Sequence, residues 1–122
     1  MTIFSAVGGM ETFVRLVERF YASVETDALV RPLYPDDLTD SKRRLTLFLV
    51  QYFGGPRTYS DERGHPRLRM RHLRFTITQA VRDAWVQHMT TALVTLALPE
   101  HEHATLQRYL EDTATFLINR PG

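Results

Sequence analysis

Residues 54–59 read Gly-Gly-Pro-Arg-Thr-Tyr, and residues 64–72 read Gly-His-Pro-Arg-Leu-Arg-Met-Arg-His. Helical periodicity lies on both sides of this segment but does not continue through it. Residues 54–66 hold three glycines and two prolines, so we expect a long loop, a length that is more often functional than accidental. The alternation from residue 67 imitates a strand, but the chain offers no convincing partner strand. Pro66 can instead open a short helix at its first position.

The same segment carries the main charge signal of the chain. Seven of the fifteen basic residues fall between positions 57 and 82, with few acids nearby: Arg57, Arg63, Arg67, Arg69, Arg71, Arg74 and Arg82. The formal net charge of the whole chain is only +1. A local excess of arginine indicates an anionic partner for this segment.

His72 lies inside the basic run, with Leu68 four residues before it and Phe75 three residues after it. On a helical turn this spacing places an imidazole between two apolar side chains. A haem requires such a setting, because iron takes a neutral imidazole, the porphyrin needs apolar contacts, and the propionates need cations. A hydrogen-bonded core histidine with no ligand is the alternative that spacing alone leaves open.

Length and composition narrow the class of protein. A chain of 122 residues is long enough for one core but not for two, so we expect a single domain over residues 1–122. The absence of cysteine excludes disulfides, thiolate-bound metals and covalent haem attachment. No apolar run approaches the ~18 residues of a membrane span, and the first residues do not resemble a secretion signal. We therefore expect a cytoplasmic protein that does not bind membranes.

Apolar residues at helical spacing predict four long helices, and hence an all-α fold. The stripes lie within residues 13–24, 45–53, 81–96 and 106–117. Asp40 is expected to cap the second helix and Thr78 the third. Gly54 is expected to end the second helix. The glycine pairs at 8–9 and 54–55 suit sharp chain reversals.

The glycine-rich and basic segments together resemble the region of the proximal histidine in truncated haemoglobins of the second group. The resemblance extends over nearly the whole chain, through Ala6-Val7-Gly8-Gly9, Arg19-Phe20-Tyr21, Pro32-Leu33-Tyr34-Pro35 and Arg82-Asp83-Ala84-Trp85. It implies a truncated two-over-two helical sandwich, in which a loop replaces most of the usual proximal helix. It also implies haem b, held non-covalently.

The resemblance assigns roles to particular residues. His72 becomes the proximal ligand, and Tyr21, Tyr34 and Trp85 become the polar lining of the distal face, with Ser41 and Leu45 beside them. Dioxygen on ferrous haem gains superoxide character, which an O–H or N–H donor stabilises. We expect Trp85, held on a long helix, to contribute most. Most members of the group carry histidine or phenylalanine where Tyr34 stands, so this chain resembles a minority with two tyrosines.

The remaining candidates contact the cofactor. Porphyrin contacts are expected from Leu45, Phe48, Leu68 and Phe75. Arg71 is the first candidate to bind a propionate, and Arg57 and Tyr59 are the next candidates.

Three functional hypotheses follow. The first is a haem protein with a pentacoordinate iron that binds dioxygen, carbon monoxide, nitric oxide or peroxide and performs redox chemistry, such as nitric oxide oxidation or peroxide turnover. The second is an oxygen-binding or sensing globin without turnover. The third is a helical module that binds a polyanion, but aromatic residues do not interleave with the arginines as single-strand binding favours, so we expect no nucleic-acid partner. No flavin or reductase pattern occurs in the sequence, so turnover would need an external reductase. A homodimer remains open.

Overall fold

Seven α-helices and one 3₁₀ turn occur in residues 1–121, the part of the chain that the computed structural model describes. This part contains no strand, which confirms the all-α prediction. The helices are α1 (Ile3–Ala6), α2 (Met10–Val24), α3 (Thr39–Tyr52), α4 (Thr58–Arg63), α5 (Leu68–His72), α6 (Gln79–Thr95) and α7 (Glu100–Phe116), and the 3₁₀ turn is Arg31–Leu33.

Helix α2 is the centre of the packing. It lies against both α3 and α6, and α6 lies against α7, which gives the two-over-two arrangement. The buried stripe of α2 includes Phe13, Leu16 and Phe20, which are at most 1% exposed. Each such side chain contributes about 1.5–3 kcal/mol relative to an exposed one. The stripe that sequence periodicity predicts is therefore the face that joins the two helix pairs.

Two of the predicted chain reversals depend on glycine. Gly8 has a φ of 107°, and a Cβ there would lie 2.8 Å from Thr12 Oγ1. Gly54 has a φ of 101°, and a Cβ there would lie 2.6 Å from the Thr2 side chain. Both positions therefore exclude other residues by conformation and by space.

The predicted caps have different outcomes. Helix α6 begins as expected, because the Thr78 side chain accepts a hydrogen bond from the Val81 N–H at 3.2 Å. The prediction that Asp40 caps α3 is wrong. Helix α3 begins at Thr39, and Asp37 Oδ1 accepts from the Thr39 N–H at 3.0 Å. Asp40 lies in the first turn, where its charge still favours the helix N-terminus.

The expected loop over residues 54–66 contains helix α4, so the prediction of an unstructured loop is also wrong. Gln51 of α3 stabilises α4 from outside, because its Oε1 accepts from the Ser60 N–H at 2.9 Å and its Nε2 donates to Ser60 Oγ at 2.7 Å. Long-range side-chain bonds of this kind are invisible to local periodicity. They give a short helix the partners that its own sequence lacks.

Helix α5 begins at Leu68, two residues later than a start at Pro66. Arg67 precedes it with a φ of 46°, in the left-handed region. The Arg67 N–H donates to His65 Nδ1 at 3.0 Å, which holds this turn. None of the helices in residues 1–121 is long and apolar enough to cross a membrane.

Candidate functional site

A cavity of about 1040 Å³ is lined by residues of helices α2 to α7 and of the connector between α2 and α3 (residues 25–38). Every site residue predicted from the sequence lines this cavity, except Arg57. Those residues are Tyr21, Tyr34, Ser41, Leu45, Phe48, Tyr59, Leu68, Arg71, His72, Phe75 and Trp85. Residues that are far apart in the sequence therefore share one pocket.

His72 is the last residue of α5 and is half-buried. Its Nδ1 lies 2.6 Å from the backbone carbonyl oxygen of Leu68, one helical turn earlier. A carbonyl oxygen only accepts, so Nδ1 carries the proton and donates it. This bond leaves the lone pair on Nε2 in the neutral imidazole and orients the ring, as in many metal-ligating histidines.

Three aromatic side chains form a connected polar group in the lining. Trp85 Nε1 donates to the Tyr34 hydroxyl oxygen at 3.2 Å. The Tyr21 and Tyr34 rings meet edge to face, with centroids 5.2 Å apart. Helix α2, the connector and α6 therefore converge at Tyr34.

Burial keeps both phenols protonated. It is the main cause that raises the pKa of Tyr21, and hydrogen bonding to Tyr34 adds to it. Burial also raises the pKa of Tyr34, although hydrogen bonding with Trp85 and Tyr21 acts in the opposite direction. The indole N–H of Trp85 can only donate, so the Tyr34 oxygen is the acceptor of that bond. Accepting it leaves the Tyr34 O–H available to donate elsewhere.

Arg71, one of the residues that line the cavity, carries a hydrogen-bond donor without a partner. Arg71 Nε is buried and has no hydrogen-bond partner within residues 1–121. Its Nη2 donates to the Arg63 carbonyl oxygen at 3.1 Å, which holds the guanidinium in place. A buried guanidinium nitrogen without a partner is costly, so an anionic group fits here. A haem propionate has that chemistry.

The expected role of Arg57 is not supported by its place in the structure. Arg57 is exposed and precedes α4 as its N-cap residue, outside the cavity lining. Helix α4, which sequence analysis did not predict, directs the chain so that Tyr59 is 5% exposed and lines the cavity. Arg63, at the end of α4, lines it as well.

Several lining residues were missed because only tertiary packing brings them to the cavity. Arg44 is one turn after Asp40 on α3, and Val81 is one turn before Trp85 on α6. Helix α7 and its C-cap residue add a third group, namely Tyr109, Leu110, Thr113, Ala114 and Leu117. The apolar periodicity of α7 is visible in the sequence, but periodicity alone does not show that this face lines a cavity.

The other histidines do not line the cavity. His65 is exposed, and His88 bonds to Ser23 and Asp27. Within residues 1–121 no group of three or more His, Cys, Asp or Glu side chains could hold a metal ion. The side chains of the cavity therefore fit haem through one imidazole, one buried cation and a largely apolar lining, rather than through a multidentate metal site.

A two-over-two helical fold with one available imidazole in an apolar cavity defines a haem protein of the globin class. The bacterial-like globin family model matches residues 2–119. The chain belongs to this family and, within it, to the group 2 truncated haemoglobins. Globins of this family bind haem b non-covalently and use it to bind ligands, and the predicted fold and cofactor are thereby confirmed.

Three relatives illustrate this similarity. Over 112 residues the chain is 41% identical to group 2 truncated hemoglobin YjbI of Bacillus subtilis, covering 92% of this chain and 85% of that protein. The structure matches a thermostable hemoglobin from Thermobifida fusca with a TM-score of 0.97 and 51% identity, over 100% of both chains. It matches a truncated oxygen-avid haemoglobin from Bacillus subtilis with a TM-score of 0.93 and 39% identity, covering 98% of this chain and 100% of that one.

We predict that His72→Ala shifts or abolishes the haem absorption band of the purified protein, because the change removes the Nε2 that is free to ligate iron. The absorption spectrum of the variant after reconstitution with haem measures this. His65→Ala is the matched control, since His65 is exposed. A parental spectrum for His72→Ala would contradict the assignment.

We predict that Arg71→Ala raises the rate of haem loss about tenfold, corresponding to ~1.4 kcal/mol. The change removes the buried donor that fits a propionate. Transfer of haem to an excess of acceptor protein gives the rate, and Arg57→Ala is the control because Arg57 lies outside the cavity lining. Equal rates for both variants and the parent would remove Arg71 from the haem site.

Proposed function

We propose that this protein binds dioxygen at a pentacoordinate haem iron, with His72 as the proximal ligand. When bound, haem b supplies an iron atom that takes a diatomic ligand and can exchange electrons with it. Among the described lining residues of the cavity, His72 is the one histidine, which supports an open second axial position. The description of one relative as oxygen-avid agrees with this proposal.

The observation that carries the proposal is the direction of the hydrogen bond between Trp85 and Tyr34. Trp85 Nε1 donates to the Tyr34 oxygen at 3.2 Å. The indole proton is thus used inside the protein, whereas the Tyr34 O–H is free to donate to a ligand. The initial expectation that Trp85 contributes most does not follow from this geometry. We propose that Tyr34 donates directly, and that Trp85 and Tyr21 polarise and orient it.

Ser41 and Leu45 complete the distal side in this proposal. Ser41 is 5% exposed, and its Oγ accepts a long hydrogen bond from Arg44 Nη2 at 3.4 Å. Leu45 is an apolar neighbour one turn later on α3. Both side chains limit the water that reaches the Tyr34 hydroxyl, and a hydrogen bond is electrostatically stronger where water is excluded.

We predict that Tyr34→Phe raises the dioxygen dissociation rate by roughly 10- to 150-fold, since a hydrogen bond to a charged group contributes about 1.5–3 kcal/mol. Carbon monoxide gains less negative charge, so its dissociation rate should change much less. Stopped-flow ligand replacement measures both rates. Tyr52→Phe is the control, because Tyr52 is 56% exposed and lies outside the cavity lining.

The two ligands separate a lost donor from a loosened pocket. Equal increases for dioxygen and carbon monoxide would indicate a wider pocket and would contradict donation by Tyr34. A parental dioxygen rate in Tyr34→Phe would contradict the proposal as well.

We further propose that the protein performs redox chemistry on bound dioxygen, in preference to binding or sensing alone. Donors that stabilise negative charge on a ligand also favour electron transfer to it. One dioxygen, one nitric oxide and one electron from ferrous haem give one nitrate ion. Each cycle consumes an electron, so an external reductase is part of this proposal. Peroxide turnover is a second candidate reaction. Reduction of one hydrogen peroxide to two water molecules consumes two electrons and two protons, so it also needs the external reductase.

We predict that mixing the oxygenated protein with nitric oxide yields about one nitrate per haem and leaves ferric protein, as the balance above requires. Ion chromatography of the products and the absorption spectrum measure the two results. Release of intact dioxygen, with a nitrosyl spectrum and no nitrate, would instead favour a binding or sensing globin.

A further inference from the structure

His88 forms a hydrogen-bonded chain outside the cavity. Its Nδ1 lies 2.5 Å from Ser23 Oγ, and its Nε2 lies 2.6 Å from Asp27 Oδ2. The His88 and Asp27 side chains are only 15% and 22% exposed. Because Ser23 is on α2, Asp27 is in the connector and His88 is on α6, the three residues join three separate elements.

The chemistry of the three groups determines their roles. The Asp27 carboxylate only accepts, so His88 Nε2 carries a proton and donates it. Ser23 can donate to Nδ1 or accept from it, so this second bond is available to either protonation state of the ring. Hydrogen bonds from His88 and from the Leu29 N–H lower the pKa of the Asp27 carboxyl, which therefore stays ionised as the acceptor.

The connector between Asp27 and Tyr34 is held together by Arg31. The Arg31 guanidinium donates to the carbonyl oxygens of Tyr34 at 3.2 Å, Pro35 at 3.1 Å and Asp36 at 3.1 Å. It also donates to Glu25 Oε1 at 2.8 Å, at the start of the connector. The Arg31 N–H also donates to the Asp27 carbonyl oxygen at 2.9 Å. Arg31 therefore joins Asp27 to the backbone at and after Tyr34, so a restraint at Asp27 also restrains Tyr34.

Helix α6 thus meets the connector at two places. Trp85 Nε1 bonds to the Tyr34 hydroxyl, and His88, three residues later on the same face of the helix, bonds to Asp27. One hydrogen bond leaves a segment free to pivot, whereas two bonds at separate points fix its orientation. The second bond is made by His88, which does not line the cavity.

We propose that His88 is a positioning residue for ligand binding: through Asp27 it holds the connector against α6, so that the Tyr34 hydroxyl points to the ligand. This inference rests on the proposed function, because it assumes that Tyr34 donates to the ligand. The inference adds that the His88–Asp27 bond, which lies outside the pocket, determines how strongly Tyr34 donates to the ligand.

Two substitutions separate the two bonds of His88. The side-chain amide nitrogen of glutamine can reach the position of Nε2, so His88→Gln retains donation to Asp27. Asparagine is one carbon shorter and reaches only the position of Nδ1, so His88→Asn retains the contact with Ser23 alone. We expect the dioxygen dissociation rate to rise about three- to tenfold in His88→Asn and to stay near the parental value in His88→Gln.

A spectroscopic signature distinguishes positioning from general destabilisation. In the carbonmonoxy protein, loss of a donor to the ligand raises the C–O stretching frequency in the infrared. We expect this shift in His88→Asn and in Asp27→Ala, which removes the acceptor without changing α6. Thr90→Val is the control. It removes the α6–α7 bond in which Gln107 Nε2 donates to Thr90 Oγ1 at 2.8 Å, and should lower stability without moving the band.

A double-mutant cycle shows whether His88 acts through Tyr34. In a Tyr34→Phe background, His88→Asn should have no further effect on the dioxygen dissociation rate. A full additional increase in that background would overturn the proposal, as would equal rates for the asparagine and glutamine variants.

The same experiments tell the two proposals apart. If Tyr34→Phe releases dioxygen at the parental rate, both the donor role of Tyr34 and the role of His88 fail. If Tyr34→Phe has its expected effect but His88→Asn and Asp27→Ala keep the parental rate and C–O band, only the positioning role of His88 is overturned.

Discussion

A cavity of about 1040 Å³ inside a chain of 122 residues is the constraint to which the rest of this structure responds. A small domain has little apolar surface to bury, and space within it forfeits packing. The most buried side chains include Phe13, Leu16 and Phe20, on the face of α2 that joins the two helix pairs. A cofactor that binds only the folded chain adds its binding free energy to folding, so haem stabilises the protein as well as giving it function.

Sequence periodicity was sufficient to predict the helices that pack along their whole length. The four long helices and the Thr78 cap each have a local signal, a stripe or a side chain one turn away. Helix α4 has no such signal in its own sequence. Its stabilising partner is Gln51, which belongs to α3. The left-handed backbone conformation of Arg67 could not be predicted from local patterns either, since the Arg67 N–H bonds to the His65 ring. Local patterns fail where a distant side chain supplies the missing partner.

The candidate site divides in the same way. Family resemblance placed His72, Tyr21, Tyr34 and Trp85 together, and the structure shows them lining one cavity. Resemblance gave no information on the bond from Trp85 Nε1 to the Tyr34 oxygen, because that bond depends on the distance between two elements. Arg57 was expected near a propionate, whereas the start of α4 leaves this residue exposed. Residue identity is readable from the sequence, but the direction of a hydrogen bond is a property of the fold.

The hydrogen-bond partners of the arginines explain part of the basic run. The segment from 64 to 78 makes few helical bonds of its own, and arginine side chains bind carbonyl oxygens around it. Arg69 donates to the Phe116 oxygen at 2.7 Å, at the end of α7 where a cation is favoured. Arg82 donates to Thr115 Oγ1 at 3.0 Å, and Arg71 to the Arg63 oxygen. Three of the seven arginines in this run therefore bind oxygens of the protein itself: Arg69 and Arg82 bind α7, and Arg71 binds the end of α4. Arg71 retains one buried nitrogen, Nε, without a partner within residues 1–121, which supports the proposal that this residue binds a single haem propionate.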